Sequence, residues 1–144
     1  MAWKRIKSGF TLVEVLVVVV VIAILAAVVL PKFVNSGLRG KEAALRAELK
    51  LMRNAIEMFH NDTGAWPASL SALTATTAPA TGLDDSGTSK SIVASQWKGP
   101  YLATINNDPV SGSAYNYGTT SPNVGKVTSS ASGNDSEGNP YSGY

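Results

Sequence analysis

The chain of 144 residues contains no cysteine and only one histidine, His60. Without cysteine it can form neither a disulfide nor a thiolate nucleophile. A single histidine at the end of a helical segment has no histidine or cysteine partner for catalysis. The many serines lie in loop-like stretches without a Gly-x-Ser-x-Gly elbow, and no glycine pattern that cradles phosphate is present. These absences predict a protein that is not an enzyme.

Charged residues are also scarce, at 15% of the chain, with a formal net charge of +2. The positive balance comes from Lys4, Arg5 and Lys7 at the N-terminus. Without residues 1–9, nine basic side chains face ten acidic ones, which gives a net charge of −1. The basic character therefore belongs to a short leader, and we predict no nucleic-acid partner.

A long apolar run follows this leader. It extends for 21 residues from Phe10 to Leu30, and Glu14 is its only charged residue. As a helix it would be about 31 Å long, enough to cross a hydrocarbon core of roughly 30 Å. The basic residues before it predict a cytoplasmic N-terminus. A cleaved secretory signal fits less well, because no small-residue cleavage site follows a short apolar region.

The charge of Glu14 carries a free-energy cost within such an apolar run. A carboxylate costs on the order of 2.5–3.5 kcal/mol at the bilayer centre and less near the interface, so Glu14 predicts a function and a partner. If the chain were cut after Gly9, the new ammonium of Phe10 would lie four residues away on the same helix face. Glu14 could then pair within its own chain or with a neighbouring chain. The alternative is an ordinary signal anchor whose Glu14 reaches the lipid headgroups.

The segment Gly9–Glu14, with the sequence GFTLVE, resembles the class III signal sequence of type IV pilins and type II secretion pseudopilins. The resemblance implies that prepilin peptidase cuts between Gly9 and Phe10 and methylates Phe10. It also implies that Glu14 serves filament assembly. Pro31 is similar to the helix-kinking proline of this family, and its missing backbone donor independently predicts a kink or local melting of the helix.

A second helical stretch is predicted from about residue 41 to residue 60. Its apolar residues recur with helical period and are Leu38, Leu45, Leu49, Met52, Ile56 and Phe59. The charged residues on its other faces are interpreted as solvated, with Glu42 and Arg46 at a spacing that favours an ion pair. Gly64 is suited to end the helix, and Trp66 is expected to pack over that end.

The remaining chain predicts short elements. Residues 69–73 suit a helical turn, whereas residues 74–91, rich in Thr, Ala, Gly and Ser, predict a surface loop. Residues 97–102, 114–117 and 124–127 are interpreted as sheet-like pieces. A small antiparallel sheet lying on the apolar stripe is the expected packing.

The predicted fold class is α+β and pilin-like. A long N-terminal helix, transmembrane in its first half and amphipathic in its second, packs against a small antiparallel β-sheet. The predicted domains are a cleaved leader at 1–9, a transmembrane helix at 10–31 and an extracytoplasmic domain at 32–144.

Near the C-terminus, residues 133–139 place oxygen-bearing side chains among glycines, a composition that suits a hard cation such as Ca²⁺. The resemblance to major pseudopilins implies a calcium-binding loop here, with Asp135 at the matching position. Those loops supply a second aspartate that this chain lacks, so Glu137, Ser130 or backbone carbonyls would have to replace it. The alternative is a disordered polar terminus. No cofactor is required, and calcium is a candidate structural ion.

Further features resemble the G-type major pseudopilin: Gly-Pro-Tyr-Leu at 99–102, Asp108-Pro109, the pair Tyr115 and Tyr117, and the lack of cysteine. This resemblance implies a bacterial inner-membrane protein that assembles with copies of itself into a periplasmic pseudopilus for protein export. The implied partners are prepilin peptidase, an inner-membrane assembly platform and minor pseudopilins. One alternative is a type IV pilin for adhesion, twitching motility or DNA uptake. Another is a membrane-anchored extracytoplasmic enzyme or sensor.

Processing of the leader can be tested by intact mass spectrometry of the protein from its native membrane or from sheared filaments. We expect a mass that lacks Met1 to Gly9 and includes one additional methyl group. A full-length, unmethylated mass would instead indicate an ordinary signal anchor and would contradict the filament interpretation.

Overall fold

The computed structural model describes residues 9–144, and the side chains of all of these except residues 30–35. The chain divides into two compact units, the first ending at Gly37 and the second spanning Leu38–Tyr144. The elements in chain order are helix α1 (Leu12–Thr63), a 3₁₀ helix (Leu70–Thr74), strands β1 (Thr81–Leu83), β2 (Ser89–Ser91), β3 (Asn116–Tyr117) and β4 (Val127–Thr128), and a second 3₁₀ helix (Tyr141–Gly143). The predicted α+β, pilin-like fold class is confirmed.

Helix α1 begins at Leu12 because Thr11 caps its first turn. The Thr11 carbonyl accepts hydrogen bonds from the N–H groups of Glu14 and Val15 at 3.1 and 3.3 Å, and its hydroxyl accepts the Glu14 N–H at 3.3 Å. The backbone then stays α-helical to Thr63. The two helical stretches predicted from the sequence are therefore a single helix, and this helix continues through Pro31 without local melting. Proline removes only one backbone donor, so the neighbouring hydrogen bonds of the helix can persist.

The bend predicted at Pro31 stays a prediction, and the side chains of residues 30–35 lie outside the described part of the chain. The leader before Gly9 also lies outside the described residues.

Among the residues that the structure describes, the first half of α1 has no apolar partner within one copy of the chain. The segment Leu12–Val29 has a mean hydropathy of 3.3 and none of its residues is buried, and it is long and apolar enough to cross a membrane. An exposed apolar surface of this size has to be covered by lipid or by another protein surface.

The second half of α1 supplies the core of the second unit. The predicted apolar stripe is confirmed, with Leu45, Leu49, Ile56 and Phe59 at most 1% exposed. Residues from the two 3₁₀ helices, the loops and strand β4 cover this stripe, namely Leu73, Leu102, Tyr115, Val127 and Tyr141. The helix is thus the central surface on which the rest of the unit packs.

The β-structure consists of two antiparallel two-stranded sheets, β1 with β2 and β3 with β4. The prediction of residues 74–91 as a surface loop is wrong in part, because the β1–β2 hairpin lies within it. Its tight turn depends on Asp84, whose Oδ1 accepts hydrogen bonds from the N–H groups of Ser86 and Thr88, each at 2.9 Å. The turn and the backbone ladder hold the hairpin together, so its strands do not need alternating apolar side chains. The sequence therefore lacks the hydrophobic alternation by which a strand is usually recognised.

The sheet-like prediction for residues 97–102 is also wrong. The N–H groups of Tyr101 and Leu102 both donate to the carbonyl of Leu73, at 2.9 and 3.0 Å. These two backbone N–H groups therefore bond to the end of the first 3₁₀ helix and are not available to pair with a neighbouring strand. Tyr101 packs edge-on against Phe59, with 5.5 Å between the ring centroids.

Trp66 covers the C-terminal end of α1, as predicted. Gly64 ends the helix with a φ of 67°, and its N–H donates to the His60 carbonyl at 2.7 Å. The Trp66 indole stacks on the His60 ring, with centroids 3.9 Å apart and an interplanar angle of 4°. Gly125 also lies against the indole, where a Cβ atom would be 2.4 Å from Cε3. The chain therefore needs a glycine at position 125.

Truncating the core face of α1 should destabilise the second unit. We expect Leu45→Ala to lower the free energy of unfolding by about 2–5 kcal/mol, because it removes a fully buried side chain and leaves a cavity. The measurement is urea denaturation of the full chain in detergent. Leu51→Ala is the matched control on the same helix, since Leu51 is 58% exposed. An equal loss in both variants would contradict the packing described here.

Candidate functional site

The residues predicted for processing lie just before α1. Gly9 and Phe10 are exposed and have non-helical backbone, and the Phe10 residue is 83% exposed. A non-helical, accessible peptide bond can be bound by a protease as a substrate. Cleavage after Gly9 and methylation of Phe10 stay predictions.

Glu14 occupies the third residue of α1, within its first turn. A negative charge there is favoured by the positive end of the helix dipole. Its backbone is fixed by Thr11, a residue that the sequence interpretation did not single out. The pattern Thr-x-x-Glu, a capping-box signature, could have identified Thr11 from the sequence.

A second polar group lies where the C-terminal segment meets α1. We call it the C-terminal cluster, and it consists of Glu42, Arg46, Asp135, Ser136, Glu137, Tyr141 and Tyr144. Two of these residues lie one helical turn apart on α1, and the others follow residue 134. The residues that form hydrogen bonds between its two sides are 89 to 99 positions apart in the sequence.

Arg46 forms one half of this cluster. Its Nη2 donates to Asp135 Oδ2 at 3.0 Å and to the Tyr144 hydroxyl at 2.6 Å, and its Nε donates to the same hydroxyl at 3.2 Å. Nη2 also lies 3.6 Å from a carboxylate oxygen of Glu137. The Tyr144 hydroxyl in turn donates to Asp135 Oδ2.

Glu42 forms the other half, and its predicted solvated position is wrong. The residue is only 3% exposed. Its carboxylate accepts hydrogen bonds from the N–H of Ser136 at 2.8 Å, from the Ser136 hydroxyl at 2.6 Å and from the Tyr141 hydroxyl at 2.9 Å. Glu42 and Arg46 therefore contact different residues of the C-terminal segment. The ion pairs that Arg46 forms in the described part of the chain are with Asp135 and Glu137, not with Glu42.

These contacts move the pKa values of both carboxyls downward. Hydrogen bonds from Ser136 and Tyr141 lower the pKa of Glu42 despite its burial. The Tyr144 hydroxyl, together with the N–H groups of Asn139 and Glu137, holds the pKa of Asp135 far below its usual range. Burial and the adjacent Glu42 raise the pKa of Tyr141 to about 12. The carboxyls of Glu42 and Asp135 are thus ionised, and the phenol of Tyr141 is neutral, at physiological pH.

The predicted calcium ligands do not come together as one ligand set. Ser130 lies in another polar group, where its hydroxyl is 2.6 Å from that of Ser111 and its N–H donates to Asp108 at 3.1 Å. Glu137 faces Arg46, a cation. Within residues 9–144, no group of three or more acidic or histidine side chains is placed to hold a metal ion. The C-terminus is not an unstructured polar tail either, since Tyr141 is buried there.

Asp108 organises that other polar group, whereas from the sequence it was named only as part of the Asp108-Pro109 pair. It is fully buried. Its Oδ1 accepts the N–H groups of Val110 and Ser111, and its Oδ2 accepts the hydroxyl of Ser129 and the N–H of Ser130. Burial raises the pKa of Asp108, but these hydrogen bonds outweigh it and leave the pKa below its usual value.

Comparison with known proteins agrees with this architecture. Residues 4–30 match the family described as the prokaryotic N-terminal methylation motif, and residues 32–141 match type II secretion system protein G. No solved structure matches the chain. An apolar N-terminal helix with a methylation motif and a small α+β unit together define a pilin-like protein.

The relatives identify the family more closely. The chain is 32% identical to the type II secretion system core protein G of Pseudomonas aeruginosa over 68% of this chain and 73% of the relative. The core protein G of Aeromonas hydrophila gives the same values. The type IV major fimbrial protein FimA of Dichelobacter nodosus is 41% identical over 38% of this chain and 35% of the relative. The chain belongs to the type II secretion system protein G family, whose members are structural pseudopilins.

Acid should destabilise the second unit in a defined pH range. The pKa values of Glu42, Asp135 and Asp108 are lower in the folded chain than the ordinary values of about 4. The stability from these carboxylates is therefore fully present above that value and is lost as the pH falls through the lowered folded pKa values. We expect Tm to be nearly constant from about pH 5 to 7 and to fall steeply below about pH 4.

The variant Glu42→Gln tests the cause. It should lower Tm at neutral pH and weaken the dependence of Tm on acid. Glu57→Gln, which changes an exposed carboxylate on the same helix, is the matched control. If both variants gave the wild-type pH profile, Glu42 would have no part in acid unfolding.

Proposed function

We propose that this chain is the major subunit of a pseudopilus, a helical filament that serves protein export by a type II secretion system. The observation that carries the proposal is the apolar segment Leu12–Val29, none of whose residues is buried, with a carboxylate, Glu14, in its first turn. Membership of the protein G family supports the assignment to secretion.

In the membrane stage, the apolar segment of α1 spans the bacterial inner membrane. The basic leader stays in the cytoplasm, and the domain of residues 32–144 is periplasmic. Prepilin peptidase removes residues 1–9 and methylates Phe10. This arrangement gives the apolar helix a lipid environment until it is transferred to the filament.

In the filament stage, copies of the chain replace the lipid around the apolar half of α1. The Glu14 carboxylate has no hydrogen-bond or ion-pair partner among the described residues of its own copy. In an apolar surrounding it needs one, because an unpaired charge there is costly. The ammonium of Phe10 from a neighbouring copy supplies that partner. An inner-membrane assembly platform and minor pseudopilins take part in assembly.

A second candidate function is a type IV pilus subunit for adhesion, twitching motility or DNA uptake. The likeness to the type IV major fimbrial protein FimA favours it. Both candidates use the same processing and the same Glu14, so only the location of the filament and the cargo distinguish them.

The variant Glu14→Ala tests the role of the carboxylate. In a strain lacking the native gene, the wild-type chain should restore release of the secreted proteins, whereas Glu14→Ala should leave them in the periplasm. Membrane insertion of the variant should be unchanged or improved, because the charge is removed from an apolar segment. The measurements are secreted protein in the medium and filament yield.

Val13→Ala is the matched control, since it changes the adjacent residue and keeps the carboxylate. Wild-type filament yield from Glu14→Ala would contradict the assembly role. A deletion strain that secretes normally but loses its surface filaments would support the pilus candidate and contradict the secretion assignment.

A further inference from the structure

A loop that binds calcium has to present free oxygen lone pairs, because Ca²⁺ takes six to eight oxygen ligands. Both carboxylate oxygens of Asp135 are already used by donors. Oδ1 accepts the N–H groups of Glu137 at 2.8 Å and Asn139 at 2.7 Å, and Oδ2 accepts Arg46 and Tyr144. All four partners are hydrogen-bond donors, and none is a ligand for a cation. The residues present therefore do not fit calcium in this arrangement.

The positive charge at this loop comes from α1. The Arg46 guanidinium lies 3.0 Å from Asp135 and 3.6 Å from Glu137. The Asp135 side chain is fully buried. A buried carboxylate has to be compensated by hydrogen bonds or by a close opposite charge. Arginine supplies both, because its planar group offers five donors in a fixed geometry.

Tyr144 joins the two charged groups. Its hydroxyl accepts two hydrogen bonds from Arg46 and donates its own proton to Asp135. One turn earlier on α1, Glu42 accepts hydrogen bonds from Ser136 and Tyr141. Two residues of the helix thus hold alternating residues of the C-terminal segment.

We propose that Arg46 is the resident cation of the C-terminal loop, occupying the role that the resemblance to major pseudopilins would assign to calcium. The segment 133–144 is then attached to α1 by the chain's own charges, and the second unit folds and persists without a metal ion. This inference goes beyond the proposed function and does not depend on it.

Thermal unfolding of the intact chain in detergent tests the proposal, with tryptophan fluorescence as the signal. We expect the wild-type Tm to be the same in millimolar CaCl₂ and in excess EGTA. Arg46→Gln should lower Tm by about 5–10 °C in both solutions, because it leaves Asp135 and Glu137 without a counter-charge. Arg53→Gln is the matched control, since Arg53 lies on the same helix and donates to a backbone carbonyl, that of Val127, at 3.1 Å.

Tyr144→Phe is a milder variant for the case in which Arg46→Gln does not fold. It keeps the ring and removes only the bridging hydroxyl, so we expect a smaller loss of Tm that is again independent of calcium. A wild-type Tm that rises by several degrees in calcium would overturn the proposal. So would unchanged Tm values in both Arg46→Gln and Tyr144→Phe.

Discussion

The burial of one face of α1 is the constraint on which the second unit depends. Strands of two or three residues in two-stranded sheets have little stability of their own. Leu45, Leu49, Ile56 and Phe59 give them a common apolar surface, and the loops between them need only reach it. In the apolar first half of the same helix, no residue of Leu12–Val29 is buried. One helix thus supplies the core of a folded unit with its second half and an apolar surface for lipid or other protein chains with its first half.

The polar contacts complement this apolar surface where loops cannot be fixed by packing alone. The C-terminal cluster surrounds two buried carboxylates with hydrogen-bond donors, and the Asp108 group surrounds one. In each case the charge is stabilised by several hydrogen bonds from within the chain, which is the usual condition for burying an ionised group. Long irregular segments can hold a definite position in this way without belonging to a larger sheet.

Local patterns in the sequence predicted a large part of the architecture. The apolar run, the heptad-like stripe of α1, the Gly64 helix end and the position of Trp66 depend on residues close together in the chain, so their patterns are readable. The β1–β2 hairpin was missed because its strands are polar and its turn depends on the side chain of Asp84. Glu42 was placed in solvent because its partners are more than 90 residues away. No local pattern encodes such contacts.

The contact between Gly125 and the Trp66 indole, which stacks on His60, limits how the chain can change by mutation. The indole occupies the space into which any side chain at position 125 would extend, and the backbone there adopts a positive φ that favours glycine. A smaller residue at position 66 would remove the first obstacle but not the second. Position 125 is therefore limited to glycine for as long as this turn keeps its shape, whatever residue occupies position 66.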